Sequence, residues 1–169
     1  DCADDIAALI AVLGLKRVIV VGYSMGGMVA QYVARRHGGL ISGLVLSGVD
    51  WGSPHYGRAT QFVGPAVMEA AVRLVHLQVC LLRAPVALLQ RLGGAGPERR
   101  EPGPLRASMR EFTGHNPRAI GGAVRSTMRF RSLEWLHEIR VPTTVLVTLR
   151  DRLFPQAEQR RMAAAIDGA

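Results

Sequence analysis

Residues 17 to 37, RVIVVGYSMGGMVAQYVARRH, constrain the fold more than any other stretch. Four β-branched residues, Val18 to Val21, form a continuous apolar run of the kind buried in a sheet covered on both faces. The run passes through Gly-Tyr-Ser-Met-Gly-Gly directly into a helical pattern, in which Met25, Met28, Val29, Tyr32 and Val33 share one face. Arg35, Arg36 and His37 followed by Gly38 are the expected end of that helix, with cations at its negative pole and a glycine beyond it. A turn this tight leaves little room for side chains. Gly22 and Gly26, two residues on either side of Ser24, are expected to relieve the crowding and to leave the serine hydroxyl pointing outward from the top of the sheet.

The flanking segments repeat the same grammar. DCADDIAALIAVLGLKR carries acids in its first turn, then Ile6, Leu9, Ile10 and Leu13 at helical spacing and Gly14 as a stop, so a helix is expected ahead of the first strand. A second buried strand is expected over Ile41 to Leu46. A third begins after Pro142, in VPTTVLVTLRD, and runs to near Asp151, and a further helix starts near Pro155. Strands separated by helices predict an α/β fold with a parallel sheet. In such sheets the functional groups gather at the carboxyl ends of the strands, where Ser24, Asp50 and Asp151 all fall.

Residues 51 to 132 interrupt this order without a strand pattern. AVMEAAVRLVHLQVCLLRAPVALLQRLGG reads as one or two apolar helices broken near Pro85, and LRASMREFTGHNPRAIGGAVRSTMRF as further helix around a break at Gly114 to Pro117. GGAGPERREPGP, residues 93 to 104, reads as a loop. The expected organisation is a core of residues 1–50 and 133–169 with a helical insertion, 51–132, in the position of a lid. The insertion also holds the net charge: it carries 12 Arg against 4 Glu, while the remaining 9 basic and 9 acidic residues cancel. No apolar run reaches the roughly 18 residues a membrane helix needs. Cys2 and Cys80 form neither a disulfide framework nor a metal pair, which fits a reducing, cytoplasmic setting. His76 and Cys80, four apart on a helix, lack the third ligand a zinc site needs, and GGAGPERR lacks the ending of a phosphate loop. No metal, no cofactor and no nucleic-acid partner is expected.

Taken together, GYSMGG between strand and helix, LVLSGVD as the next strand, the helical insertion, and IRVPTTVLVTLRDRLFP resemble the α/β-hydrolase family. The matching pieces cover about half the chain, residues 1 to 50 and 133 to 169. The resemblance implies a partial sheet of about three parallel strands flanked by helices. It also implies a serine hydrolase of the esterase type, in which Ser24 is the nucleophile, Asp151 the acid that orients a base, and the backbone amide of Met25 one donor of the oxyanion hole. Asp50 is the rival acid, because some members carry it after the strand that follows the nucleophile helix.

The base is missing from the expected place. Family order runs serine, acid, histidine, and no histidine follows His137. His37, His76 and His137 are expected to be structural. His115, in GHNPR, lies in the insertion and out of order. The family likeness therefore implies an internal fragment, lacking early strands and the segment with the catalytic histidine, and inactive on its own. Tyr23, Trp51 and His55 are expected to line a substrate site. Val67, Met68, Leu74, Leu77, Leu81 and Leu82 would form an apolar ceiling suited to a small hydrophobic ester, thioester or lactone. The basic insertion would suit an anionic substrate or an anionic membrane surface. Oligomeric state is left open. Two alternatives stand beside the hydrolase: an acyltransferase or cofactor-free haloperoxidase-like reaction on the same fold, and a non-catalytic binding module using the basic lid.

Overall fold

The computed structural model describes residues 1–53, 66–67, 69–71, 73–74, 76–78, 81 and 116–169. Helix α1, Cys2–Val12, starts with a reciprocal cap: the Asp1 carboxylate accepts from Ala3, and Asp4 reaches back to the chain start. It stops where expected, with Gly14 at a positive φ of 61°. Strand β1, Val18–Tyr23, leads into α2, Met25–His37, and a short turn of 3-10 helix then delivers the chain into β2, Ile41–Ser47. After the insertion, whose last helix α3 spans Pro117–Arg129, come β3, Thr143–Leu146, and α4, Gln156–Ala164.

The three strands form one parallel sheet in the order β1-β2-β3. Leu44, Leu46 and Val33 are fully buried between sheet and α2, and Leu136, Ile139, Met162 and Ile166 continue the core toward α4. Tyr32, Phe130 and Trp135 pack as a cluster of edge-on and stacked rings that ties α2 to the chain returning from the insertion. Arg35 lies over Trp135 and forms a two-pronged ion pair with Glu138.

The sequence expectation of a sheet covered on both faces needs correction among the described residues. Val18, Val20 and Gly22 point to α2, but Ile19, Val21 and Tyr23 are exposed, at 63%, 71% and 72%. A continuous apolar run marks what a strand can bury, not which of its faces the described helices cover. The third strand is also shorter than expected, ending at Leu146 and not near Asp151. Its last stretch leaves the ladder because the backbone of Thr148 bonds a side chain of α4 in place of a neighbouring strand.

The chain divides into two compact units, residues 1–55 with 129–169, and residues 56–128. In the second unit, the described residues between 66 and 81 are helical, as the apolar pattern predicts. There Glu69 accepts from Arg73 at 2.5 Å and from Arg125 of α3. Gly121 lets α3 approach closely, since a Cβ there would lie 2.8 Å from Cγ of Glu69. Val67, Leu74, Leu77 and Leu81 are exposed. Met68, Leu82 and the loop at 93–104 lie outside the described residues. No described helix is long and apolar enough to cross a membrane.

Candidate active site

Ser24 occupies the N-cap position of α2 but does not behave as a cap. An ordinary N-cap serine has extended backbone and bonds an amide of the first turn. Ser24 has φ 52° and ψ −124°, and its hydroxyl makes no capping bond. A side-chain-bearing residue in this region costs on the order of 1–3 kcal/mol and persists only where its surroundings enforce it. Here they do: the Ser24 N–H donates to Ser47 at 3.1 Å, its carbonyl accepts from Gly27 at 2.9 Å, and β1 and α2 are both packed into the core. The half-buried hydroxyl is therefore left without a structural task.

The crowding at this turn falls on different glycines than the spacing suggests. A Cβ on Gly22 would lie 2.6 Å from the Gly27 backbone and 2.7 Å from Ala30, so Gly22 is required as expected. A Cβ on Gly26 would meet nothing within 4 Å, because Gly26 sits on the exposed side of the first turn of α2. Gly27 is the second crowded position: a Cβ there would lie 2.6 Å from Val49, just beyond the end of β2. The expectation for Gly26 is thus corrected to Gly27. Met25 opens α2, where the first N–H groups have no partner within the helix. Tyr23 is exposed, its ring lying against Gly48, which adopts a φ of 54°.

Parallel strand order brings the three polar candidates to one edge of the sheet: Ser24 after β1, Asp50 after β2 and Asp151 after β3. Asp50 is 1% exposed. Its Oδ1 accepts from the Gly52 and Ser53 amides at 2.7 and 3.4 Å, and its Oδ2 from the Ser53 hydroxyl at 2.9 Å. Asp151 is half-buried. Its Oδ1 accepts from Leu153 and Phe154 amides at 2.8 and 2.9 Å, and its Oδ2 from the Thr148 hydroxyl at 3.0 Å. These donors, the Phe154 amide foremost, hold the Asp151 carboxyl below the usual aspartate range against the opposing effect of burial.

Trp51 is half-buried, and its indole N–H donates to Glu158 of α4 at 2.7 Å, with Arg161 over its ring. Of the histidines, His37 pairs with Asp4 at 2.9 Å, and this contact lowers the Asp4 carboxyl below the usual aspartate range. His137 is exposed in the 3-10 turn Leu136–Glu138. His76 lies on a described helical residue of the second unit, while His55 and His115 lie outside the described residues. No group of three or more His, Cys, Asp and Glu able to hold a metal occurs among the described residues.

Two buried polar residues escaped the sequence reading. Gln31 of α2 and Gln159 of α4 are both fully buried. Gln31 donates to the Asp50 carbonyl at 3.2 Å, and Gln159 bonds the loop that carries Asp151. The available signal was a glutamine three residues ahead of an apolar one: Gln159 and Met162 share the buried face of α4, and Ile166 is buried just beyond it.

Comparison with known proteins agrees with this geometry. The sequence profile of a family described as alpha/beta hydrolase fold matches residues 1–73. A hydrolase from Pseudomonas aeruginosa PA01 is similar in structure, with TM-score 0.67 and 24% identity over 99% of this chain and 60% of its own. The enol-lactonase from Burkholderia xenovorans LB400 superposes with TM-score 0.66 and 21% identity, over 99% of this chain and 60% of its own. MenH from S. aureus gives TM-score 0.60 and 25% identity, over 96% of this chain and 62% of its own. The chain spans about 60% of the length of the structures it matches. With a strained serine between strand and helix, a parallel three-stranded sheet and these likenesses, the chain has part of an α/β-hydrolase fold, and its residues 1–73 match that family's profile.

Proposed function

We propose that the whole protein is a serine hydrolase acting on a carboxylic ester, thioester or lactone through an acyl-enzyme on Ser24. The observation that carries this reading is the backbone of Ser24, a non-glycine residue held at positive φ at the joint of β1 and α2 with its hydroxyl unused in capping. In the reaction the Ser24 hydroxyl attacks the acyl carbon, its proton passes to a base, and the developing oxyanion accepts from the Met25 amide. The base then returns the proton to the leaving alcohol or thiol, and water releases the acyl group by the same steps in reverse roles.

Asp151 serves as the acid in this proposal. Ser24 and Asp151 follow strands separated by β2, and strands two places apart in a sheet lie about 10 Å from each other. An imidazole with a hydrogen bond of about 2.8 Å on each nitrogen spans such a gap. The base in this reading is a histidine, which family order would place after Asp151. A small hydrophobic ester, thioester or lactone is the substrate class that goes with this reading. Residues 51–132 would act as the lid, with Trp51 and His55 near its start. The test is labelling of the full-length protein by a fluorophosphonate: one adduct on Ser24, lost in Ser24→Ala, is expected. Labelling that survives Ser24→Ala would overturn the assignment.

A further inference from the structure

Gln159 grips both ends of the loop that carries Asp151. Its Oε1 accepts from the Thr148 backbone N–H at 3.0 Å, and its Nε2 donates to the Thr148 hydroxyl at 2.6 Å and to the Phe154 carbonyl at 2.6 Å. Each residue it holds in turn touches Asp151. The Thr148 hydroxyl, having accepted from Gln159, spends its own proton on Asp151 Oδ2, and Phe154, fixed through its carbonyl, offers its N–H to Oδ1. A hydroxyl that accepts a strong bond is a better donor, so the chain from Gln159 through Thr148 to Asp151 reinforces itself. Gln159 is fully buried on the core face of α4, beside Met162, so its rotamer is set by packing.

We propose that Gln159 is the positioning residue for Asp151: through Thr148 and Phe154 it fixes the height and rotation of the carboxylate at the strand edge. The proposal rests on the reading of Asp151 as the acid that orients the base. A residue that only completed the hydrogen bonds of a buried loop would stabilise the fold without affecting the carboxylate. The relay couples the two, and every donor to Asp151 in it is uncharged. The charged neighbours in sequence, Arg150 and Arg152, are exposed.

The test uses the full-length protein and two measurements. The first is the titration of the Asp151 carboxyl carbon by NMR. Gln159→Met, which keeps the bulk and removes all three bonds, is expected to move that titration upward, toward the ordinary aspartate range. Thr148→Val is expected to move it upward by less, and Thr148→Ser to restore it. The second is the rate of fluorophosphonate labelling on Ser24, expected to fall roughly tenfold in Thr148→Val and to recover in Thr148→Ser. Should Gln159→Met fail to fold, the Thr148 pair decides. A titration that neither Gln159→Met nor Thr148→Val moves overturns the proposal. A titration that moves as expected, with labelling indifferent to Asp151→Asn, upholds the grip on the carboxylate and overturns the reading of Asp151 as the acid.

Discussion

Two aspartates stand beyond the ends of neighbouring strands and make the same local turn, yet they stand in different surroundings. Each accepts, through Oδ1, the amides two and three residues ahead. Asp50 does this beneath a backbone crossing: the Trp51 carbonyl accepts from Ser132, and the Gly52 α-carbon passes so near Phe130 that a Cβ there would lie 2.0 Å from its carbonyl oxygen. Asp151 remains partly open, and a side chain from a helix holds its loop. Under the proposed function, Asp151 is the better candidate acid because it is the more exposed of the two. In a crossing such as that at Asp50, the same turn builds the fold.

The sharpest way to break this distinction is to neutralise each aspartate in turn. Asn keeps the amide-accepting oxygen and removes the charge. Asp151→Asn is expected to slow labelling of Ser24 in the full-length protein by about 10³–10⁴-fold, the scale at which a triad loses its correct tautomer, with little change in the thermal midpoint. Asp50→Asn is expected to do the reverse, leaving labelling within about tenfold while destabilising the fold by about 1–3 kcal/mol as a buried hydrogen-bond set is disturbed. If the two phenotypes exchange, Asp50 is the acid.

A backbone change sharpens the same contrast. Gly52 has φ 79° and faces Phe130, so Gly52→Ala combines an unfavourable conformation with a severe clash. A loss of about 3 kcal/mol in urea unfolding is expected. The loop around Asp151 contains no glycine and has exposed positions, and Arg152→Ala should stay within about 0.5 kcal/mol. Equal losses at the two sites would mean that the crossing is no more demanding than the open loop.

Much of this arrangement was legible in the residues. Continuous β-branched runs, glycine stops and the serine between strand and helix gave three strands in the right places and set Ser24, Asp50 and Asp151 on one edge. What stayed hidden depends on contacts between distant parts of the chain. Gly26 and Gly27 are indistinguishable in sequence, and only the approach of Val49, just beyond β2, makes Gly27 the indispensable one. Gln159 looks like any polar residue of an arginine-rich helix until the burial of Met162 and Ile166 shows that it faces the core. The contrast between the aspartates was equally out of reach, because it is made by Phe130, about eighty positions away from Asp50 in the chain.

The smallest expected effect concerns acid stability. The bonds to Asp151, led by that from the Phe154 amide, lower its carboxyl in the folded state below the unfolded value, which is about 4. As pH falls, the unfolded chain therefore takes up this proton first. The stabilisation from Asp151 is complete above about pH 4 and is lost as pH falls through the lower, folded-state value. In Asp151→Asn the group no longer titrates, so the difference in unfolding free energy from the unmodified protein should be constant above about pH 5 and shrink below about pH 4. Asp4, lowered by its contact with His37, titrates across the same window. The measurement is therefore made in an Asp4→Asn background, by urea unfolding followed through tryptophan fluorescence. A difference that stays flat as the solution is acidified would mean that the turn at Asp151 does not favour the charged carboxylate. Its amide donors would then be turn geometry alone, and the distinction between the two aspartates would rest on exposure and on the grip of Gln159.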